Sequence, residues 1–134
     1  VGFSALFSNV TGIQNTAVGA GALFSNLGSN NTALGRGALE KNTTGENNGA
    51  FGTYSLYNNT TGGSNTAVGS YALQSATTGY NNTAVGFVAL GANTTGFNNS
   101  AFGLFAFNNG TNFSNSSAIS FFIFSNSSGV NLSC

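Results

Sequence analysis

The chain is almost free of charge, and several residue types are missing from it altogether. Its 134 residues include no histidine, proline, methionine, tryptophan or aspartate. Charged residues make up 3% of the sequence, against about 25% in an ordinary soluble domain. So few charges do little to keep copies of a chain apart in solution. The composition therefore favours a protein that assembles, or one whose surface is made soluble by something other than charge.

These absences remove most catalytic and metal-binding chemistry. Without histidine the chain has no Ser–His or Cys–His pair and no imidazole metal ligand. Glu40 and Glu46 are the only side-chain carboxylates, and no second acid pair supplies the facing carboxylates of a glycosidase. Calcium-binding β-roll repeats take aspartate in their loops. The sequence therefore predicts no enzyme, no catalytic residue, no metal and no cofactor.

The four charged residues, Arg36, Glu40, Lys41 and Glu46, lie in one short stretch and cancel. No basic patch is available for nucleic acid or for anionic lipid. The longest apolar run, 121–124, is far short of the roughly 20 residues of a transmembrane helix. We therefore expect neither nucleic-acid binding nor membrane insertion.

One phrase, Asn-Thr-Ala-Val-Gly-x-x-Ala-Leu, recurs along the whole chain. Successive copies are 16 residues apart once and 17 residues apart thereafter. Aligned copies give two apolar columns, an Ala column and two Gly columns. Residues 1–14 and the segment from Ser116 onward fit the same template, so the chain holds almost eight units. The copies begin at Asn15, Asn31, Asn48, Asn65, Asn82 and Asn99.

This repeat predicts an all-β fold. Seventeen residues are too few for a helical-hairpin repeat, and two glycines per unit with Thr and Val between them disfavour helix. We expect a β-solenoid, or β-roll, of about eight 17-residue coils. It forms a single domain over 1–134, with 115–134 as a divergent terminal coil and candidate assembly surface. Each coil should contribute strands near 16–18 and 22–24, glycine corners, a thin centre of Ala, Val and Leu, and a stacked Asn ladder.

The phrases at 15–19, 65–69 and 82–86 resemble the head repeats of trimeric autotransporter adhesins. The spacer at 42–45 is similar to repeats of bacterial and viral tail-fibre-like proteins. The resemblance covers 1–114 well and 115–134 weakly. It implies a left-handed β-roll that trimerises, at a cell or virion surface.

Asn-x-Ser/Thr sequons fall in two slots of the repeat, and covalent N-glycans there would supply the hydration that charge does not. One slot precedes the Thr-Gly corner and is expected to be exposed. The other precedes the repeated Asn. The candidate glycosylation sites are Asn9, Asn42, Asn59 and Asn93 in the first slot, and Asn30, Asn81, Asn98 and Asn115 in the second.

Neither end of the repeat array carries a polar capping unit of the kind solenoids use. Uncapped β-coils can template pairing with another chain, which predicts a head-to-tail homopolymer. The alternative, that 1–134 is part of a longer array, stays open. So do the two roles of the single cysteine, a small chain-end residue or an intermolecular bridge. The candidate assembly contacts are Val1, Phe121, Phe122, Phe124 and Cys134.

The function predicted from these features is a structural subunit of an extracellular filament or adhesive fibre, with the chain itself as its partner. The alternative is a carbohydrate-binding or adhesin-head module of a longer trimeric stalk. In that case Tyr54, Tyr57, Tyr71 and Tyr80 would stack on sugars.

Overall fold

The computed structural model describes residues 1–120, and they form a β-solenoid with one short strand in each coil. Seven three-residue strands pair in chain order into one parallel sheet. The predicted all-β solenoid is confirmed. The strands are β1 (Thr16–Val18), β2 (Thr32–Leu34), β3 (Gly49–Phe51), β4 (Thr66–Val68), β5 (Thr83–Val85), β6 (Ser100–Phe102) and β7 (Ser117–Ile119).

The strands pair in the register that the repeat predicts. Ala17 lies opposite Ala33, and Ala33 opposite Ala50, so that each repeat column becomes a stack along the rod. Six coil-to-coil steps separate β1 from β7, about 29 Å at the usual strand spacing of about 4.8 Å. The part of the eight-coil prediction that falls on 121–134 lies outside the described residues.

The core of each coil is built from alanine and leucine. The central Ala of β1 to β6 is buried, as are the Ala and Leu of the segments after β1, β2, β4 and β5, such as Ala72 and Leu73. The coil interior is narrow, so alanine is the residue that fits at the strand centres. Burying a leucine stabilises the fold by about 1.5–3 kcal/mol, and the segments after β1 to β5 each contribute one such side chain: Leu23, Leu39, Leu56, Leu73 and Leu90.

The second strand expected near 22–24 does not form. Ala22 and Leu23 are both fully buried, whereas neighbours in a strand point to opposite faces. Successive turns place them instead: the Ala22 N–H donates to the Gly19 carbonyl at 3.3 Å, and the Phe24 N–H to the Gly21 carbonyl at 3.2 Å. Leu23 takes a left-handed φ of 52°, which is costly for leucine and turns its side chain inward.

The repeat has two glycine columns, and each needs glycine for a different reason. The first column follows each strand directly and contains Gly69, which has a φ of 126°, as predicted for a corner. Gly62, in the second column, has no positive φ. A Cβ there would collide with the carbonyl oxygen of Gly79 in the next coil. Close approach of successive coils, and not backbone conformation, therefore selects glycine in the second column.

Candidate functional site

The outward face of the sheet carries a continuous stripe of large apolar side chains. Strand residues alternate between faces, so the buried Ala of each strand leaves its two neighbours pointing outward. Phe51 and Val68 are each 38% exposed, and Ile119 is 65% exposed. We call this stripe the outer apolar column. It consists of Val18, Leu34, Phe51, Val68, Val85, Phe102 and Ile119.

The prediction that Val lies in the coil centre is wrong. In β4 the central Ala67 is fully buried, and Val68 beside it faces out. The coil interior has room for the smaller side chain only. Val18, Leu34 and Phe51 do lie in one stack, as predicted, but that stack is on the outside of the rod.

A second, mostly hydroxyl-bearing column runs beside the outer apolar column. No charged residue belongs to either column, since the four charges lie between Arg36 and Glu46 and outside the strands. The face is therefore apolar on one side and weakly polar on the other, with nothing to repel an identical face. The second column consists of Thr16, Thr32, Gly49, Thr66, Thr83, Ser100 and Ser117.

The predicted Asn ladder exists, and it is buried within the coils from Asn31 to Asn99. We call it the first Asn ladder. Asn65 shows its pattern: Nδ2 donates to Oδ1 of Asn48 at 3.2 Å and to the carbonyl of Gly79 at 2.8 Å. Its own Oδ1 accepts from the backbone N–H and from Nδ2 of Asn82, both at 3.0 Å. These amides hold neighbouring coils together. The first Asn ladder is Asn15, Asn31, Asn48, Asn65, Asn82 and Asn99.

A second Asn ladder lies at the Thr-Gly corner, and it corrects one of the two predicted glycosylation slots. Asn42, Asn59 and Asn93 are buried, so the expectation that this slot is exposed is wrong for them. Asn9, in the same slot, is half-buried. The second Asn ladder is Asn9, Asn26, Asn42, Asn59 and Asn93.

Of the candidate glycosylation sites in this ladder, Asn42 and Asn59 have no amide hydrogen free for a glycan. Asn42 Nδ2 donates to Oδ1 of Asn26 at 2.6 Å and to the carbonyl of Gly45 at 2.9 Å. An N-linked glycan replaces one of those two hydrogens, so it cannot coexist with both bonds. Asn26 starts no sequon and was not predicted. The available signal was the recurrence of Asn shortly before the glycines of the second column, three residues before most of them and two residues before Gly28.

The other glycosylation slot is exposed, and glycosylation there stays a prediction. Asn30, Asn81, Asn98 and Asn115 are all exposed and take left-handed φ values. Asn81 Nδ2 donates to Asn98 Oδ1 at 3.2 Å, and Asn98 Nδ2 to Asn115 Oδ1 at 3.0 Å. These bonds are on the surface, where water can replace them.

The tyrosines proposed to stack on sugars mostly pack against other rings. Tyr54, Tyr57 and Tyr71 are half-buried rather than exposed. The Tyr54 ring lies 5.2 Å from that of Tyr57 and 5.8 Å from that of Tyr71, between ring centroids. Tyr80 is 45% exposed and stacks on Phe97 at 5.0 Å. The four do not form one open platform, and carbohydrate binding stays a prediction.

Two of the tyrosine rings each lie beside a positively charged side chain. Arg36 lies 5.5 Å from the ring centre of Tyr54, and Lys41 Nζ lies 4.7 Å from that of Tyr57. The carboxylate of Glu40 raises the pKa of Tyr57 above its ordinary value of 10.0, with smaller contributions from desolvation and from Tyr54. Cation–π contacts of this kind at exposed sites contribute about 0.5–1 kcal/mol, so the cluster helps to fix local packing.

The described part of the chain offers no group of three or more His, Cys, Asp or Glu side chains that could hold a metal ion. It also has no helix long and apolar enough to cross a membrane.

Of the candidate assembly contacts, Val1 is 94% exposed. Phe121, Phe122, Phe124 and Cys134 lie outside the described residues, so end-to-end stacking stays a prediction.

Comparison with known proteins adds no identification. No protein-family model, curated protein or solved structure matches the chain. The resemblance to adhesin heads and tail-fibre repeats therefore stays a prediction.

Proposed function

We propose that the chain is a structural rod segment of a fibre, and that copies of it associate side by side through the outer apolar column. The observation that carries the proposal is the run of outward-facing Val, Leu, Phe and Ile along the sheet face from β1 to β7, which is exposed in every strand except β5, where Val85 is half-buried. Contiguous apolar surface of this extent marks an interaction site in soluble proteins.

The axial repeat of the rod supports a second copy as the occupant. The outer apolar column presents one large side chain per coil, about every 4.8 Å along the axis. A partner that meets it over six steps needs the same repeat, and another copy of this chain has it. The face carries no charge, so two identical faces approach without repulsion. Extracellular location remains part of the proposal and rests on the resemblance.

Three substitutions in the outer apolar column should separate the copies without unfolding them. We expect Phe51→Thr, Val68→Thr and Phe102→Thr together to weaken association by at least about 100-fold, since each removes apolar contact worth about 1–2 kcal/mol. Threonine is β-branched and already fills the neighbouring column, so the strands should persist. Sedimentation velocity over a range of concentrations measures the change, with circular dichroism as the check on folding.

The matched control replaces apolar residues of similar exposure away from the sheet face. Ile13→Thr with Leu27→Thr changes side chains that are 64% and 42% exposed and lie outside the strands. This variant should associate as the unaltered chain does. If the unaltered chain sediments as a monomer at all concentrations, or if the control dissociates as far as the triple variant, the proposal is wrong.

A further inference from the structure

The second Asn ladder is interrupted at Ala76. Elsewhere in it, each amide nitrogen donates to the preceding amide oxygen, as Asn59 Nδ2 does to Asn42 Oδ1 at 2.7 Å. Residue 76 occupies the next position of the repeat, seventeen residues after Asn59, and has no amide. Ala76, Asn59 and Asn93 are all fully buried, so bulk water does not reach the break.

Three polar groups around this break lack a bond that the ladder supplies in other coils. Asn59 Oδ1 has no hydrogen-bond partner among residues 1–120. The carbonyl of Gly79 accepts from Asn65 Nδ2 alone, whereas that of Gly62 accepts from two Asn side chains. Asn93 Nδ2 donates to the Gly96 carbonyl at 3.3 Å, and it lacks the bond to a preceding amide oxygen because residue 76 is alanine.

The coils do not close the space that the missing amide leaves. The Thr60 N–H donates to the Thr77 carbonyl at 2.9 Å, and the Thr77 N–H to the Thr94 carbonyl at 2.8 Å. The coil on each side of residue 76 thus keeps its regular spacing. An amide group takes up roughly the volume of one water molecule, about 30 Å³ in the liquid.

We propose that the gap beside Ala76 is a binding site for a buried water molecule, which takes the place of the missing amide. The water donates one hydrogen bond to Asn59 Oδ1 and one to the carbonyl of Gly79, as an asparagine nitrogen would. Asn93 Nδ2 approaches from the opposite side as a donor. Buried waters are held by two to four polar partners, and two acceptors with one donor suit a neutral water better than a cation.

Two substitutions at residue 76 test this site. Ala76→Asn replaces the water by the amide of the ladder and should leave the folding equilibrium constant unchanged or raise it. Ala76→Val adds only two methyl groups, which limits overpacking, but it cannot bond Asn59 Oδ1. It should lower the folding equilibrium constant at least about tenfold, because a buried acceptor is left unpaired. Urea unfolding at one fixed protein concentration measures both.

A dry cavity predicts the opposite result for valine, because burying two more methyl groups in an empty space stabilises the chain. If Ala76→Val stabilises the chain as much as Ala76→Asn does, or if both variants are destabilised equally because no amide fits, the proposal is overturned. A crystal structure fine enough to place waters gives the direct result. Density within hydrogen-bond distance of both Asn59 Oδ1 and the Gly79 carbonyl supports the site, and empty density there contradicts it.

Discussion

Replacing Gly69 by alanine should lower the free energy of unfolding by more than about 4 kcal/mol, at the extreme end for a single substitution. Gly69 has a φ of 126°, which L-residues other than glycine rarely adopt. A Cβ added there would lie 2.5 Å from the carbonyl oxygen of Gly86 and 2.7 Å from its carbonyl carbon. Both atoms belong to the backbone of the next coil, which is itself hydrogen-bonded and cannot retreat without breaking the sheet.

The control for Gly69→Ala is Gly63→Ala. Gly63 has no positive φ, and the nearest atom to a Cβ there is the Glu46 carbonyl oxygen at 3.2 Å. We expect this change to cost less than about 1 kcal/mol. Urea unfolding followed by circular dichroism compares the two variants at the same protein concentration, because association also affects stability. Equal midpoints for the two variants would contradict the coil contact described above.

Replacing Asn65 by alanine should cost about 3–5 kcal/mol, since each buried polar group left unpaired costs about 1–3 kcal/mol. The substitution removes the donor of the Gly79 carbonyl and the acceptor that binds two groups of Asn82.

Asn109→Ala is the matched control for this prediction. Asn109 is exposed and has no left-handed φ, so its loss should change the free energy of unfolding by no more than about 0.5 kcal/mol. Thermal unfolding of both variants gives the comparison. If Asn65→Ala unfolds at the same temperature as Asn109→Ala, the buried ladder does not hold the coils together as described.

The fold could be predicted because a repeat of fixed length places identical positions above one another. Asn65, Thr66, Ala67 and Gly69 each recur at the same spacing, and every column formed from them stacks in the structure. The stacking of columns does not depend on which side chain points inward. The parallel stacking and the first Asn ladder could therefore be predicted from the repeat, whereas the cross-section of the coil could not.

The cross-section was harder to predict because hydrophobicity alone does not show how wide a coil is. Val68 is more apolar than Ala67, so a general preference for burying apolar residues places it inside, yet Ala67 is the buried one. Variation along each column carried the missing information. The Ala column keeps one size, as a closed space demands, whereas the outer apolar column ranges from Val to Phe.

The second strand was predicted wrongly, and the second Asn ladder was not predicted, for a different reason. Leu23 reaches the core through a left-handed φ, which sequence patterns do not predict for leucine. Asn42 was read as an exposed sequon, but it uses both amide hydrogens inside the coil. For Leu23, burial of the side chain overrode the backbone conformation that leucine prefers. For Asn42, hydrogen bonding inside the coil overrode the usual exposure of a sequon.

The proposal that copies associate through the outer apolar column is tested most directly by cryo-electron microscopy of the purified, unaltered protein. Rods lying side by side, with Val68 and Val85 of one copy against the sheet face of another, are the result that we expect. Separate rods, or neighbouring rods joined by other surfaces with these side chains in solvent, would contradict the claim that this face holds the copies together.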